Sequence, residues 1–481
     1  MKKIMIIGLA LCSSWGVFAQ NETDALRYSF YNNPMSVRSM GMGGAFGALG
    51  ADLSSFHNNP AGIALYKRGG LEFGFGLNMD QTSSLYEGSN ASANRDRFFM
   101  SNLGFVSANK IKAEKWSYGL GVSHVKLQNY NQNVNITGTA FNSSILDQFA
   151  YQANGIPYDQ VSEVMPFSSG LAWETYLIDP LDTTANTYVA AAGAGDVKQR
   201  LISERKGYVT ETAIGGGLNY DDFVYFGASI GFQNVNYRDI SSYGEYYDGT
   251  GEVSNMNFGQ DLISTGVGVN LKLGAIVRIT EWLRAGAFVQ TRTRISLSDS
   301  YSASMESNWT NDSPLNWNSP INNFNYVVRS PGRMGVNAAF VMGEIGVVTA
   351  DYEMVNYANL KMDNGGDSDY TFATENDVIA DIYRNTHRVR TGVEFRLATN
   401  WRVRTGASYT QSPFVQNVAS NSPIISYNGG FGYRHDGFTF DLGTQYQTST
   451  VTYYMFDPEY VNAADVKQNR LTILTSIGFK F

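Results

Sequence analysis

Beyond position 12 this 481-residue chain has no cysteine, and Cys12 lies in the apolar stretch at the very N-terminus. Disulfides, thiolate metal centres and thiol nucleophiles are therefore excluded from the body of the protein. Charge is low, at 16% of residues, and proline is scarce, at 11, so the chain is neither a solvating disordered tract nor a proline-rich linker. Basic residues are outnumbered and the formal net charge is −8, which argues against nucleic acid as a partner. After the first 19 residues no apolar run approaches the roughly 18 residues that a membrane helix needs. The remaining way to cross a bilayer is a closed β-barrel, in which every backbone group is paired within the wall. A mean hydropathy of −0.23 does not oppose this, because barrel walls alternate polar and apolar residues.

What the chain does have is glycine (49), tyrosine (30) and a 14% share of aromatic residues, the composition of many strands with close packing. Residues 1–19 read as a secretory leader: Lys2 and Lys3, then an apolar run from Ile4 to Leu11, then Val17-Phe18-Ala19 as the cleavage site. Leu11 is too bulky for lipoprotein processing at Cys12. Losing Lys2 and Lys3, with no acid, moves the formal charge from −8 to −10.

From Gly70 onward, segments of roughly 10–14 residues alternate with period 2. The last, "LTILTSIGFKF", places Leu471, Ile473, Thr475, Ile477, Phe479 and Phe481 on one face. Short connections fall at Asn109–Lys115, Tyr220–Asp222, Thr280–Glu281, Met342–Glu344, Ala398–Asn400 and Asp436–Gly437. Long polar ones fall near 80–97, 127–206, 239–259, 298–325, 357–385, 413–424 and 451–468. The alternation predicts an all-β, transmembrane antiparallel barrel of about fourteen strands with both ends on the short-turn side. Trp116, Tyr118, Tyr225, Trp282, Tyr326, Trp401, Tyr409 and Tyr427 fall near strand ends, as an interfacial belt requires. The bland alternative is aromatic packing in a soluble β-sandwich, which has no need of alternating long and short connections.

"WLRAGAFVQTRTRISL" puts Leu283, Ala285, Ala287, Val289, Ile295 and Leu297 on one side, and Arg284, Gln290, Arg292 and Arg294 on the other. "HRVRTGVEFRL" and "WRVRTGASY" likewise put Arg388, Arg390, Glu394, Arg402 and Arg404 opposite apolar residues. Arginine facing lipid at mid-depth costs about 2–4 kcal/mol, so the arginines are assigned to the lumen. With Asp351 and Glu353 as acidic partners, they form a structural charge lattice, pairing also with backbone carbonyls of a plug. The competing reading is a site for an anionic head group.

"GASIG", Gly227 to Gly231, matches a serine-hydrolase pattern but lies mid-strand rather than at a strand-to-helix turn. The four histidines, His57, His124, His387 and His435, lack ligand spacing, so no metal and no cofactor is expected. Gly74/Gly76, Gly119/Gly121 and Gly266/Gly268 each share a strand face, marking either a close approach to the wall or simple curvature. The stretch 127–206 is too long for a plain loop. Ile145, Leu146 and Phe149, with Phe167, Leu171, Trp173 and Tyr176, are expected to line an apolar groove over the barrel mouth.

Residues 20–69 show no strand alternation. "RSMGMGGAFGALGADLSSFHNNPAGIAL" is punctuated by glycine, and Asn59 is placed to cap a short helical turn begun by Pro60. Such a piece is too small to fold alone and needs the lumen as a container. "GMGGAFGALGADLSS", "NNPAG" and the strand set ending in Phe481 resemble the FadL-type outer-membrane transport family for long-chain fatty acids and other hydrophobic compounds. "LAWETYLID", "ADYEMVNY" and "VRTGASYTQSPF" are similar to the branch common in Bacteroidetes-type bacteria.

The resemblance implies a fourteen-stranded barrel (70–481) behind a hatch (20–69) in which Gly43, Gly44, Asn59, Pro60 and Ala61 match the family's positions. It implies a non-enzymatic, monomeric channel in the outer membrane of a Gram-negative cell, inserted by the barrel-assembly machinery and surrounded by outer-membrane lipid. A long-chain fatty acid or other hydrophobic ligand would land on extracellular loops, pass a rearranging hatch and leave sideways through the wall. "GADLSSFHN" departs from the family's acidic-pair and aromatic pattern before that motif. The alternative on the same barrel is a docking or shuttle protein of a secretion system. A phospholipase lacks an outward Ser/His pair, and a haem carrier lacks a His, Tyr or Met constellation.

Overall fold

The computed structural model describes residues 22–31, 35–111, 115–182, 184, 186–192, 195–247, 252–366, 370–415 and 422–481. The expected leader and Gln20 lie outside them. Among these residues fourteen antiparallel strands close into one barrel. They are β1 (Gly70–Tyr86), β2 (Ser89–Lys110), β3 (Trp116–Asn129, continued as Gln132–Phe141), β4 (Asp196–Tyr220), β5 (Val224–Tyr247), β6 (Val253–Arg278) and β7 (Leu283–Gln290, continued as Arg294–Trp309). After these come β8 (Asn322–Arg329, continued as Arg333–Val341), β9 (Gly346–Asn356), β10 (Asn385–Arg396), β11 (Trp401–Thr410), β12 (Ile424–His435), β13 (Phe438–Tyr453) and β14 (Ala464–Lys480). Closure comes from β14 returning to β1, paired from Gly70↔Lys480 to Leu85↔Asp465. No described helix is long and apolar enough to cross a membrane.

Five of the six short turns fall where the sequence places them, the sixth, Asn109–Lys115, lying partly outside the described residues, and Asp436–Gly437 has φ of 44° and 82°, the conformation of a tight hairpin turn. The expected loop at 80–97 is different. There β1 and β2 run on as a paired ribbon to a two-residue turn at Glu87–Gly88, because Ser, Thr and Asn fill both faces without breaking the ladder.

Alternation sorts the faces. Phe75, Leu103, Leu120, Phe226, Ile230, Leu271, Val336 and Phe395 are exposed on the exterior, whereas Asn78, Ser123, Glu211, Lys272, Asp351 and Glu353 are buried. At the short-turn end Trp116 stacks near Tyr220 and Trp282 near Phe340, both at 4.8 Å, and Trp401 lies 4.6 Å from Tyr433. This is the exterior of a wall built for lipid, with an aromatic girdle at one rim. Two expected belt residues differ. Tyr225 is buried against Ala61 and Ala64, and Tyr326 packs in an apolar cluster with Tyr28, because each has the inward parity of its strand.

Parity also corrects two arginines. Gln290 faces Lys272 and Arg294 faces Val269, so β7 spends three residues where β6 spends two. One extra residue sends every later side chain to the other face. Ile295 and Leu297 therefore point inward and are buried, while Arg292 and Arg294 are exposed on the outside.

Residues 37–65 are packed against the inward faces, in part as short 3-10 helices at Leu53–Phe56 and Pro60–Leu65. The wall makes room with glycine. A Cβ on Gly119 would lie 2.6 Å from the Ile63 carbonyl oxygen, one on Gly217 2.6 Å from the Ala64 nitrogen, and one on Gly443 2.8 Å from the Val37 carbonyl oxygen. Gly227 meets Pro60 in the same way, and Ser229 Oγ donates to the Phe56 carbonyl at 2.7 Å, so the "GASIG" stretch is a seat rather than a nucleophile. Of the three Gly-x-Gly pairs, Gly119/Gly121 serves this close approach, whereas Gly74/Gly76 and Gly266/Gly268 face only wall residues.

Gly406→Val and Gly443→Val, whose side chains would enter the space of Met42 and Val37, are expected to leave the barrel folded, as read by unboiled gel mobility, while exposing Arg38 to trypsin. Unchanged protection at Arg38 in both variants would contradict the glycine seat.

Candidate functional site

The chemistry of this molecule is concentrated where the N-terminal segment meets the wall. Asn59 holds the start of the Pro60–Leu65 turn, since its Oδ1 accepts from the Ala61 N–H at 3.2 Å. Its Nδ2 donates outward, to Asn337 Oδ1 at 3.2 Å and the Ala275 carbonyl at 3.4 Å. Pro60 and Ala61 are buried beneath it. Gly43 and Gly44 have φ of 67° and 77°, and a Cβ on Gly43 would lie 2.8 Å from the Thr391 carbonyl.

The inward charges converge on the same segment. Arg38 grips Glu394 with two bonds, Nε to Oε2 at 3.1 Å and Nη2 to Oε1 at 3.0 Å. Arg404 bridges Glu394 at 2.6 Å and Asp441 at 2.7 Å. Asp351 accepts from the Phe46 and Gly47 N–H groups at 3.0 and 3.1 Å. Glu353 is surrounded by Arg390, Arg388 and Arg333 at 3.3, 3.5 and 3.7 Å. Arg388 also donates to the Tyr31 carbonyl at 2.8 Å, and Arg284 to the Leu49 carbonyl at 3.3 Å. Arg402 is half-buried and has no ion pair among the described residues. Thus Arg284, Arg388, Arg390, Arg404, Asp351, Glu353 and Glu394 come together around the segment, and Arg292 and Arg294 do not.

A second cluster was not singled out from the sequence. Glu211 accepts from His57 Nδ1 at 2.7 Å, Lys272 Nζ at 2.7 Å, Asn270 at 2.9 Å and Gln233 at 3.1 Å. His57 Nε2 lies 3.1 Å from Ser123 Oγ, and Tyr31 donates to Gln233 at 2.9 Å. Burial lowers the His57 pKa below its ordinary value, against the pull of Glu211, which favours a neutral ring donating from Nδ1. The sequence did carry a signal: Lys272 sits between Leu271 and Leu273, the parity of a lumen residue where the alternate positions Val267, Val269, Leu271 and Leu273 are apolar. Among the described residues no group of three or more His, Cys, Asp and Glu is placed to hold a metal ion.

At the long-loop end the expected open groove is a closed core. Ile145, Leu146, Phe149 and Leu171 are buried with Val134, Tyr243 and Met305 of the wall, Phe167 is 9% exposed and Trp173 half-buried. Only Tyr176 of the set is exposed. The helices Ile145–Ala153 and Ser169–Glu174 turn their apolar faces down into the barrel mouth, because that burial is what orders them. Below this cap a second apolar layer joins Ala25, Tyr28 and Tyr31 to Tyr237, Tyr326 and Phe372. The N-terminal segment thus fills mid-lumen as well as the short-turn end.

One seam of the wall is incomplete. β2 pairs with β3 only from Asn102↔Val125 to Lys110↔Ser117. Beyond that, β3 bulges against β4 between Lys126 and Gln128, and its continuation follows β4 behind the β1–β2 ribbon. The inward hydroxyls of Thr82 and Ser84 take its Asn133 and Asn135 carbonyls at 2.7 and 2.6 Å. Across the seam Lys126 Nζ lies 3.7 Å from the Phe99 ring centre, over a cavity of about 70 Å³ backed by Met35 and Met40.

No protein-family model matches the chain, and no curated protein matches it. Solved structures do. A FadL homologue from Pseudomonas aeruginosa is 13% identical over 94% of this chain and 100% of its own, with a TM-score of 0.57. The toluene transporter TodX of Pseudomonas putida is 14% identical over 94% and 100%, with a TM-score of 0.53. At such identities the likeness is one of fold.

Glu394→Gln is expected to cost about 3 kcal/mol in urea unfolding of the vesicle-inserted barrel, because two buried guanidinium groups lose their charged partner. Asn59→Ala, which removes a cap and the two long bonds from Nδ2, should cost about 1–2 kcal/mol. Equal losses for the two would refute the ranking of charge over cap.

Proposed function

We propose that this chain is an outer-membrane channel of the FadL type for passive uptake of long-chain fatty acids or other hydrophobic small molecules. The observation that carries the reading is the seam between β2 and β3. It is a place where a closed wall gives up main-chain pairing beside a lumen packed with a separate segment. An apolar solute gains nothing by entering water below the barrel, so a sideways exit into lipid is the favourable route. The fold shared with two barrels, one named a FadL homologue and one a toluene transporter, supports the class of cargo without choosing within it.

In this reading residues 20–69 are the hatch and 70–481 the barrel, in the outer membrane of a Gram-negative cell. Solute entering from the long-loop end meets two apolar layers, first the helical cap and then the layer that Tyr28 and Tyr31 complete. Passage requires residues 22–31 to give way, after which Met35, Met40 and Phe99 lead to the seam. The hatch is tied down by Glu394, Asp351 and Glu211, so the displaced part is the portion above those anchors. Assignment to the branch common in Bacteroidetes-type bacteria rests on the sequence motifs alone.

The docking alternative draws on Phe141 and Leu181, each 71% exposed at the long-loop end. Co-purification of surface proteins without oleate uptake would favour it.

Since the body of the chain lacks cysteine, Phe99→Cys with Lys126→Cys can be bridged cleanly by a short bis-maleimide. Bridging is expected to abolish uptake of labelled oleate, with each single variant retaining it. Undiminished uptake through a bridged seam would sink the lateral exit.

A further inference from the structure

On the long-loop side of the break in β7 and β8 lies a groove of about 550 Å³ on the outside of the barrel. Its lining includes Asn236 of β5, Thr265 of β6, Arg294 and Ser296 of β7 and Asn325 of β8, all exposed and all polar. Immediately toward the short-turn end the same faces become apolar: Val267, which also lines the groove, is 62% exposed, and Val269, Leu271, Ile230 and Phe232 follow. The groove therefore straddles the line at which the exterior changes from lipid chain to head group.

Charge in this zone is unevenly satisfied. Arg238 pairs with Asp261 at 2.6 Å and Arg329 with Asp363 at 2.7 Å. Arg292 and Arg294, both exposed, have no ion pair among the described residues. They face outward only because β7 carries one extra residue at this height. An arginine here costs little, whereas one at mid-depth would not be tolerated. Unpaired guanidinium groups beside amide and hydroxyl donors, above an apolar floor, match an amphiphile whose head carries both phosphate and hydroxyl groups.

We propose that this groove holds a phosphorylated glycolipid of the outer leaflet. Its phosphate lies on Arg294 of the lining and reaches Arg292, exposed two residues away on the same strand, its sugar hydroxyls lie on Asn236, Ser296 and Asn325, and its acyl chains run along Val267 and Val269. The proposal rests on the reading of the chain as a membrane barrel but not on transport.

Native mass spectrometry of the full chain, purified with bis-phosphorylated lipid A, dephosphorylated lipid A or inorganic phosphate, tests it. Wild-type protein should retain the bis-phosphorylated lipid, and R292Q/R294Q should retain about thirtyfold less, the loss expected for two charged contacts at a membrane surface. R292K/R294K should keep most of the retention, and oleate uptake and unboiled gel mobility should be unchanged throughout. Equal retention by R292Q/R294Q, or equal retention of the dephosphorylated lipid, overturns the proposal. So does binding of inorganic phosphate without lipid. Absence of oleate uptake by the wild-type chain, with the expected pattern of lipid retention, would instead count against the transport reading alone.

Discussion

Everything inside this barrel depends on how closely the backbone of the N-terminal segment approaches the wall. Gly119, Gly217, Gly227 and Gly274 put four adjacent strands within reach of Asn59–Ala64, and Gly392, Gly406, Gly430 and Gly443 do the same for Val37–Gly43. At these positions any side chain would occupy the space of a carbonyl or an amide. Glycine in a strand weakens it by leaving nothing to pack. Here the segment itself supplies the missing packing, so wall and segment stabilise each other. The close approach also brings the segment's carbonyls and amides within range of inward side chains, which makes the polar network possible.

That network has to offset a large desolvation cost, because Glu353, Asp351, Arg390 and Arg404 are almost wholly buried. Ion pairs alone rarely repay such burial. The bonds to backbone groups of the segment, from Arg284 and Arg388 to carbonyls and from Phe46 and Gly47 to Asp351, supply partners that a bare lumen would lack. Charge and segment are thus mutually conditional. Removing the segment would leave a cluster of inward arginines with too few acceptors, and water would have to enter to solvate them.

The strand pattern was legible from residue 70 onward because a wall with lipid outside and polar atoms inside writes its parity into the sequence. Five of the six turns, the inward Arg388, Arg390 and Arg404, and the Asn59-Pro60 turn all follow from local rules. Reading stopped where one residue changes parity without changing composition. Nothing in "VQTRTRISL" marks the bulge after Gln290, so Arg292 and Arg294 read as lumen residues and Ile295 as lipid-facing. The aromatics of 145–177 were equally ambiguous, since a groove and a sealed core use the same residues and only tertiary context separates them. The seam was invisible because it is an absence of pairing, and main-chain pairing carries no residue signature.

The two irregular regions of the wall have different physical characters. At β2–β3 the ladder ends and side-chain bonds from Thr82 and Ser84 hold the displaced strand from within, so separation there breaks few main-chain bonds. At β7–β8 the two strands bulge together, Gln290 facing Arg333 below and Arg294 facing Arg329 above, so their mutual register is preserved through the break. On the proposed lateral route, a wall that opens at one place gains from being firm elsewhere. The paired bulge keeps β7 and β8 bonded through the break, whereas beyond Asn102↔Val125 no main-chain pairing joins β2 to β3. Segment and seam meet at Met35, Met40 and Phe99, so a shift of the segment would alter the lining of a stretch of wall that strand pairing does not hold shut.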